Sequence, residues 1–232
     1  MNGKLKNVII PGWSVQAEFY SPLMSDDTVI YDFKFFSGTS ADAVSGFSSG
    51  IRELCTSPCI IHAHSLGAML AIGAIAGLPH LKALVIWSGF AKFARGSDNP
   101  CGQDPAAIEV MREQLQANPS GLLKSFYRRM FQPAKLSAGI PGKLNIPALD
   151  AGLELLLKCD FRKKLPEITI PVLILHGTED KIADKELAGV LSKGIKCSSV
   201  NLFGNAGHAL PFTHWTEAAP VIDEYMRKHD IN

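Results

Sequence analysis

Five short apolar runs and one further candidate strand recur along this chain, and longer stretches of helical pattern follow most of them. The apolar runs cover residues 8–10, 29–31, 59–61, 83–87 and 171–175, the further candidate covers 199–202, and the helical stretches cover 41–54, 66–77, 184–192 and 216–228. Continuous apolar strands are typical of a parallel sheet whose two faces are both covered by helices. The alternation therefore predicts an α/β chain with a mostly parallel, doubly wound sheet and right-handed crossovers. Because few residues precede the first run, we expect no complete N-terminal antiparallel hairpin.

The alternation stops between residues 87 and 171. This stretch contains helical pieces separated by Pro100, Pro105, Pro119, Pro133, Pro141 and Pro147. A chain of 232 residues has the length of one α/β domain, so the stretch is interpreted as an insertion into that domain. We predict a core of residues 1–90 and 166–232 and an inserted helical cap of residues 91–165.

The predicted cap is the basic part of the chain. Residues 91–165 contain 12 Lys and Arg against 7 Asp and Glu, a net charge of +5, so the remainder carries −4 against a total of +1. Between residues 121 and 145 the basic side chains include Lys124, Arg128 and Arg129, and the segment has no acidic residue. This run is compatible with an ordinary solvated face. It is also compatible with a docking surface for an acidic protein or an anionic substrate, and both interpretations stay open.

The composition of the whole chain limits the cellular compartments and the classes of partner that we expect for this protein. A net charge of +1 and a pI near 7.7 argue against nucleic-acid binding by bulk electrostatics. No apolar stretch has the length of a membrane span, and the first residues lack the apolar region of a signal peptide. The five cysteines lack the spacing of a metal site or a disulfide scaffold. We expect a cytoplasmic protein without a nucleic-acid or membrane partner, and we expect a monomer.

A serine stands where the third apolar run turns into a helical pattern. Residues 62–68 read His-Ala-His-Ser-Leu-Gly-Ala, with Ser65 at the turn. The G-x-S-x-G nucleophile elbow requires small residues two positions before and two positions after the serine, because the turn is very tight. Ala63 and Gly67 occupy those positions, and Ala63 departs from the usual glycine by one methyl group. The pattern predicts that Ser65 is a nucleophile, although a turn made only for packing would have the same appearance.

A serine nucleophile requires a base, and the base requires an acid that orients it. Asp180 follows the run 171–175, and sites of open α/β sheets lie beyond the carboxyl ends of their strands. Glu179 and Asp184 are rivals in the same loop, but the G-x-x-D spacing from Gly177 favours Asp180.

His208 lies in a loop of small residues after the last candidate strand, and we predict that it is the general base. The order serine, acid, histidine is the order of the α/β-hydrolases. We interpret the other six histidines as structural. The pair His62 and His64 has no third ligand nearby in the sequence, so we expect neither a metal nor another cofactor.

Acyl transfer also requires donors for the developing oxyanion. One donor is predicted to be the backbone N–H of Leu66, directly after the serine. The second is predicted to be the backbone N–H of Trp13, which follows the first apolar run and Gly12. The Trp13 side chain is then placed to form a wall of the acyl pocket. A plain turn with a packed aromatic ring is the alternative.

Four stretches of the chain resemble one family. They are Ile-Pro-Gly-Trp at 10–13, His-Ser-Leu-Gly at 64–67, Leu-Asp-Ala-Gly-Leu-Glu-Leu-Leu at 149–156 with Cys-Asp-Phe-Arg at 159–162, and Ala-Gly-His-Ala-Leu-Pro-Phe at 206–212. The chain resembles the α/β-hydrolases, and among them the biotin-pathway carboxylesterases that demethylate pimeloyl-acyl-carrier-protein methyl ester. This resemblance implies an α/β-hydrolase fold and hydrolysis of a methyl ester by Ser65, His208 and Asp180.

The resemblance also implies roles for the cap. Substrate-binding residues would be Trp13 and Leu66, together with the acyl-channel segment Phe126, Tyr127, Arg128, Arg129 and Met130. An acidic acyl carrier protein would meet Lys124, Arg128, Arg129 and Arg162.

Two departures from the family pattern concern the shape of the pocket. They are Pro11, where the family usually has histidine, and Ala63. Two other functions stay open. One is a general short-chain esterase or thioesterase, or a hydrolase or lyase that resembles those of the menaquinone pathway. The other is a non-catalytic α/β-hydrolase scaffold that binds a ligand.

Overall fold

A computed structural model describes residues 5–31, 40–135 and 139–231, without the side chains of residues 40 and 41. Within these ranges six strands form one parallel sheet in the order β2-β1-β3-β4-β5-β6. The strands are β1 Lys6–Ile10, β2 Thr28–Ile30, β3 Cys59–His64, β4 Leu81–Trp87, β5 Val172–Gly177 and β6 Ser198–Phe203. The predicted parallel α/β sheet is confirmed. The expected absence of a hairpin falls partly on residues 1–4, which lie outside the described ranges.

The described helices alternate with the strands, except in the long connection between β4 and β5. They are α1 Ser40–Leu54, α2 Leu66–Ala74, α3 Pro105–Ala117, α4 Pro119–Phe131, α5 Ile146–Lys158, α6 Glu186–Gly194, α7 Leu210–Thr213 and α8 Trp215–Lys228, with 3-10 segments at Ala17–Leu23 and Arg162–Glu167. Helix α2 ends before the predicted residue 77. Gly77 has a φ of +75°, a left-handed conformation that does not continue an α-helix.

Apart from Lys82, the central strands β3, β4 and β5 are buried on both faces, which explains their continuous apolar runs. In the edge strand β6, Val200 and Leu202 are exposed. Successive strand side chains point to opposite faces. Accordingly Ile61 and Ile86 pack in the layer that contains α1, α2 and the cap. Ile9 and Val85 pack in the opposite layer, against α8 and the first 3-10 segment. A half-buried sheet would show alternating polar residues instead.

Three of the prolines between β4 and β5 stand at helix starts, one each in α3, α4 and α5. Pro105 and Pro119 stand in the first turns of α3 and α4, where a missing N–H costs no hydrogen bond. The preceding Asp104, Asn118 and Asn145 are the N-caps of α3, α4 and α5, and their side chains accept from the backbone N–H of Ala106, Gly121 and Ala148 at 2.9, 3.0 and 3.2 Å. An Asx N-cap followed within two residues by proline therefore starts each of α3, α4 and α5.

The sheet order sets where a site can form. β1 has β2 on one side and β3 on the other, so the chain changes its winding direction at β1 and β3. Open α/β sheets bind ligands outside the carboxyl ends of their strands at such a switch point. The loops after β1, β3, β5 and β6 all leave that edge of the sheet, and the cap helices are inserted after β4. No helix within the described ranges is both long and apolar enough to cross a membrane.

Candidate active site

Ser65 stands between β3 and α2 in a strained conformation. Its φ of 54° and ψ of −118° are rare for a residue with a side chain, and such strain is a property of nucleophile elbows. The Ser65 N–H donates to the Trp87 carbonyl of the neighbouring strand at 3.0 Å, which holds the turn. A Cβ on Gly67 would lie 2.4 Å from the Pro11 carbonyl oxygen, so the turn accommodates only glycine there. Ala63 is fully buried in β3 and pairs with Ile10 and Ile86.

His208 connects the serine to the predicted acid. Its Nε2 lies 2.8 Å from Ser65 Oγ, and its Nδ1 lies 2.7 Å from Asp180 Oδ2. Because a carboxylate only accepts, Nδ1 donates to Asp180, and in the neutral ring Nε2 accepts the serine hydroxyl. The sequence predicted these three residues together, and the structure brings their side chains into one hydrogen-bonded array.

Asp180 is held in the orientation that this array requires. Its Oδ1 accepts from the backbone N–H of Ile182 at 2.8 Å and of Ala183 at 2.9 Å. Its side chain is inaccessible to solvent. Burial by itself would raise the pKa of the Asp180 carboxyl, but the interactions with His208, His176 and the Ala183 N–H outweigh burial and lower it. Asp180 is therefore a carboxylate at neutral pH. Its rivals Glu179 and Asp184 are exposed, and Asp184 Oδ1 accepts from the Glu186 N–H.

The loop that carries His208 is fixed by the sheet and by the cap. A Cβ on Gly207 would lie 1.7 Å from the Gln132 carbonyl oxygen, just after α4. The Ala209 N–H donates to the Met130 carbonyl at 2.9 Å. The C-terminal end of α4 therefore holds the histidine loop, and Met130 contributes its backbone here.

The loop after β1 lies directly beside the nucleophile. A Cβ on Gly12 would be 3.2 Å from Ser65 Cβ, so a larger residue would crowd the serine. The Gly12 N–H already donates to the Tyr20 hydroxyl at 3.0 Å. Among the described residues, neither the Trp13 nor the Leu66 backbone N–H has a hydrogen-bond acceptor. Both belong to segments adjoining Ser65, so both are free to donate to an oxyanion, and their role as the oxyanion hole stays a prediction.

A cavity of about 130 Å³ extends from Ser65 beneath the cap. Of the predicted substrate-binding residues, Trp13, Phe126 and Arg129 line it. The ring of Phe126 meets that of Trp13 edge to face at 4.8 Å between centroids. The rest of the wall comes mainly from α3, α4 and α5, which contribute Ile108, Met111, Gln114, Leu122, Leu153 and Leu156. The sequence patterns did not indicate that these six residues line the cavity.

Four other predicted substrate-binding residues are absent from the described wall of this cavity. The Tyr127 hydroxyl donates to the Ser14 carbonyl at 2.6 Å, and the Met130 side chain is fully buried in the core. Arg128 is exposed on the outer side of α4. Leu66 packs near Trp13 and Gly152 instead. For the three residues of α4, the direction in which each side chain points explains this separation, since residues on one helix share a face only at three- or four-residue spacing.

The cations predicted to meet a carrier protein fall into three environments. Lys124 and Arg128 are exposed, and no described side chain pairs with either of them. Arg129 borders the cavity and donates to the Lys181 carbonyl at 2.8 Å. Arg162 forms ion pairs with Asp98 and Asp160, and these hydrogen bonds raise the pKa of its guanidinium. Because Arg162 is already paired within the chain, it does not extend the free basic surface as the sequence analysis expected.

The described residues hold no group of three or more His, Cys, Asp or Glu side chains that could bind a metal ion. His62 and His64 lie in β3 and are both buried, and burial lowers the pKa of His62 to about 4. The expectations of no metal and no cofactor are left as predictions.

The sheet is parallel, and a serine, a histidine and an aspartate are hydrogen-bonded in series beyond the ends of its strands. This is the architecture of the α/β serine hydrolases. The model of the Alpha/beta hydrolase family matches residues 8–221, and this chain belongs to that family.

Relatives and solved structures agree with this assignment. A pimeloyl-[acyl-carrier protein] methyl ester esterase of Stenotrophomonas maltophilia (strain K279a) is 25% identical over an alignment that covers 94% of this chain and 92% of the relative. An esterase (EaEST) from Exiguobacterium antarcticum superposes with a TM-score of 0.84 at 17% identity, over 96% of this chain and 92% of that chain. A bromoperoxidase from Bacillus anthracis superposes with a TM-score of 0.85 at 19% identity, over 97% of this chain and 93% of that chain. At such identities the two structures show the fold alone.

Proposed function

We propose that this chain is a serine carboxylesterase in which Ser65 is the nucleophile, His208 the general base and Asp180 the orienting acid. The observation that carries the proposal is the continuous array of hydrogen bonds, 2.8 Å from Ser65 to His208 and 2.7 Å from His208 to Asp180. Each contact has the direction that nucleophile activation requires. A binding scaffold has no need of an ordered and buried array of this kind.

The reaction follows from the positions of these groups. Ser65 Oγ attacks the ester carbonyl while His208 Nε2 takes the serine proton. The carbonyl oxygen becomes an oxyanion, and the backbone N–H groups of Trp13 and Leu66 donate to it. His208 then gives the proton to the leaving alcohol, and the acyl group stays on Ser65. A water molecule, activated by His208, hydrolyses the acyl-enzyme and restores the serine.

The substrate we propose is pimeloyl-acyl-carrier-protein methyl ester, as in biotin biosynthesis. We also propose a cytoplasmic location, which the free thiols favour. Three observations support the substrate. A relative that covers most of the chain has this activity in its name. The cavity wall beside Ser65 is mostly apolar, as a linear acyl chain requires. The exposed Lys124 and Arg128 lie on α4, the helix that lines the cavity, where an acidic carrier would approach.

Hydrolysis of p-nitrophenyl butyrate tests the esterase function. We expect turnover by the wild type and its loss in Ser65→Ala, with Ser49→Ala on the exposed side of α1 as the matched control. The far-ultraviolet circular dichroism of the variants verifies folding. A well-folded wild type that hydrolyses neither the acetate nor the butyrate ester would show that the esterase proposal is wrong.

A comparison of two substrates tests whether the enzyme requires a carrier-linked ester. We expect the double variant Lys124→Glu and Arg128→Glu to lower kcat/KM for the carrier-linked methyl ester by about tenfold, and to leave that for dimethyl pimelate unchanged. The matched control is Lys193→Glu with Lys196→Glu, two exposed lysines at the other end of the sheet. Equal rates of the two double variants on the carrier-linked ester would favour a general short-chain esterase.

A further inference from the structure

His64 precedes the nucleophile in the sequence, and both of its ring nitrogens have partners. Its Nε2 lies 3.0 Å from the backbone carbonyl oxygen of His208. Its Nδ1 lies 2.9 Å from the hydroxyl of Tyr20 in the first 3-10 segment. The Tyr20 hydroxyl in turn lies 3.0 Å from the backbone nitrogen of Gly12. His64 and Tyr20 are both buried, so water does not compete for these contacts.

The direction of each hydrogen bond is determined by its partners. A carbonyl oxygen only accepts, so His64 Nε2 carries a proton and donates to His208. Burial, with a smaller contribution from the nearby His208, lowers the pKa of His64 to about 3, so the ring carries a single proton at neutral pH. Nδ1 is therefore an acceptor, and the Tyr20 hydroxyl donates to it. The Tyr20 oxygen accepts the Gly12 N–H, and burial raises the pKa of Tyr20, which keeps the hydroxyl protonated.

The two ends of this chain of hydrogen bonds are parts of the candidate active site. One end is the backbone of His208, the general base of the proposed reaction. The other end is Gly12, whose neighbour Trp13 provides a backbone N–H for the oxyanion. A Cβ on Gly12 would lie 3.1 Å from His64 Nδ1, so the loop is in direct contact with the histidine. His64 and Tyr20 therefore join two loops that lie about 200 residues apart in the sequence.

We propose that His64 and Tyr20 are positioning residues, which hold the loop of Gly12 and Trp13 at a set distance from His208 and Ser65. We call the chain of hydrogen bonds from the His208 carbonyl through His64 and Tyr20 to Gly12 the relay. Its role in catalysis rests on the proposed esterase function. The physical reason is that an oxyanion donor acts only when its N–H points at the developing charge, and small displacements of catalytic groups cost large factors in rate.

The alternative is that both rings only fill space. The Tyr20 ring meets Phe212 edge to face at 4.9 Å, and the His64 ring meets Phe212 at 5.5 Å. Tyr20→Phe keeps the ring and its packing and removes the hydroxyl alone. This variant therefore separates the relay from packing.

Steady-state kinetics of wild type and Tyr20→Phe on p-nitrophenyl butyrate tests the relay. We expect kcat to fall at least about tenfold with KM within about twofold, because the oxyanion donor acts mainly in the transition state. The matched control is Tyr225→Phe, whose hydroxyl donates to the Cys197 carbonyl, away from the array. A loss of thermal stability in both variants with a loss of kcat in Tyr20→Phe alone supports positioning. Wild-type kcat in Tyr20→Phe would overturn it.

Amide hydrogen exchange of Gly12, measured by NMR, gives a second readout that does not depend on hydrolysis. We expect slow exchange in the wild type and faster exchange in Tyr20→Phe, with other amides of the sheet unchanged. If the wild type hydrolysed no ester, the esterase proposal would fail while the exchange result would still decide whether the relay holds the loop. Equal Gly12 exchange in the two proteins would overturn the relay.

His64→Asn covers the case in which Tyr20→Phe does not fold. The Asn amide oxygen can still accept from Tyr20, but the shorter side chain does not reach the His208 carbonyl. We expect a fall of kcat with retained Gly12 protection in this variant. Unchanged kcat would show that the contact with His208 has no positioning role.

Discussion

The carboxyl edge of the sheet and the cap are built by different kinds of contact. At the sheet edge, Ser65, His208 and Asp180 each have a hydrogen-bond partner of fixed direction, and their side chains are shielded from water. The cap contributes apolar side chains to the cavity and exposes cations such as Lys124 and Arg128. If the proposed function holds, the sheet edge carries the chemistry, and the cap selects the acyl chain and the partner.

The largest expected effect lies at the sheet edge. Asp180→Asn keeps the size of the side chain but no longer stabilises the correct tautomer of His208, so we expect kcat to fall by about 10⁴-fold. Glu179→Gln and Asp184→Asn change carboxylates of the same loop that do not contact His208, and we expect near-wild-type kcat for both. Ester hydrolysis at saturating substrate measures the three variants. A comparable loss in either control would assign the orienting role to a different acid.

The next effect concerns the turn itself. In Gly67→Ala the new methyl group would lie 2.4 Å from the Pro11 carbonyl oxygen and 2.5 Å from that of Ile10, so the neighbouring backbone must shift. We expect a loss of about 1–3 kcal/mol in the free energy of unfolding, as for other overpacked sites, together with reduced kcat. Gly189→Ala in α6 is the control, because nothing lies within 4 Å of its added Cβ. Urea unfolding should show no loss for that control.

A third variant tests the cap as the determinant of chain length. Leu122→Ala removes a side chain that lines the cavity, while Leu123→Ala removes the neighbouring leucine, which is buried elsewhere. We expect Leu122→Ala to raise the ratio of kcat/KM for the octanoate over the acetate ester by about tenfold. Leu123→Ala should lower stability and leave this ratio unchanged. The same shift in both variants would mean that general loosening of the cap, and not the shape of the cavity, sets selectivity.

The smallest expected effect is on the stability of the cap. Arg112 of α3 forms a two-pronged ion pair with Asp150 of α5, at 2.9 and 3.0 Å, with both side chains partly exposed. We expect Asp150→Asn to cost about 0.5–1 kcal/mol of unfolding free energy at low salt and less at high salt. Glu109→Gln removes the more exposed partner of Arg112 and should change less. Thermal unfolding at two salt concentrations measures both variants. If the effect of Asp150→Asn did not depend on salt, the interaction of Arg112 with Asp150 would not be mainly electrostatic.

Local patterns were sufficient to predict the sheet and the array of Ser65, Asp180 and His208. Strands buried on both faces must be apolar throughout, and loops at the carboxyl ends of parallel strands must meet at one edge of the sheet. Small residues around the serine indicated the turn, and the order of the three residues indicated their partnership. The distances between them, and the exclusion of Glu179 and Asp184, required the folded chain.

The cap was predicted less well, for a physical reason. The prolines indicated breaks in a helical pattern, and with Asp104, Asn118 and Asn145 they mark helix starts. Which face of α4 meets the cavity depends on how three helices pack on the sheet, and no local pattern contains that information. Phe126 and Arg129 therefore line the cavity, whereas Arg128 faces away from it.

The sequence by itself predicted a parallel α/β sheet, a tight turn at Ser65 and the candidate partners His208 and Asp180, because strand burial and turn sterics are local properties and the order of the three residues is read directly from the chain. Only the tertiary structure decided which cap side chains line the cavity and that Arg162 is paired with Asp98 and Asp160. It also decided that His64 and Tyr20 connect the His208 carbonyl to Gly12 by hydrogen bonds. Tyr20 and His64 are 44 residues apart, and His64 and His208 are 144 apart. Contacts between such distant residues are products of packing, which leaves no periodic signal in the sequence.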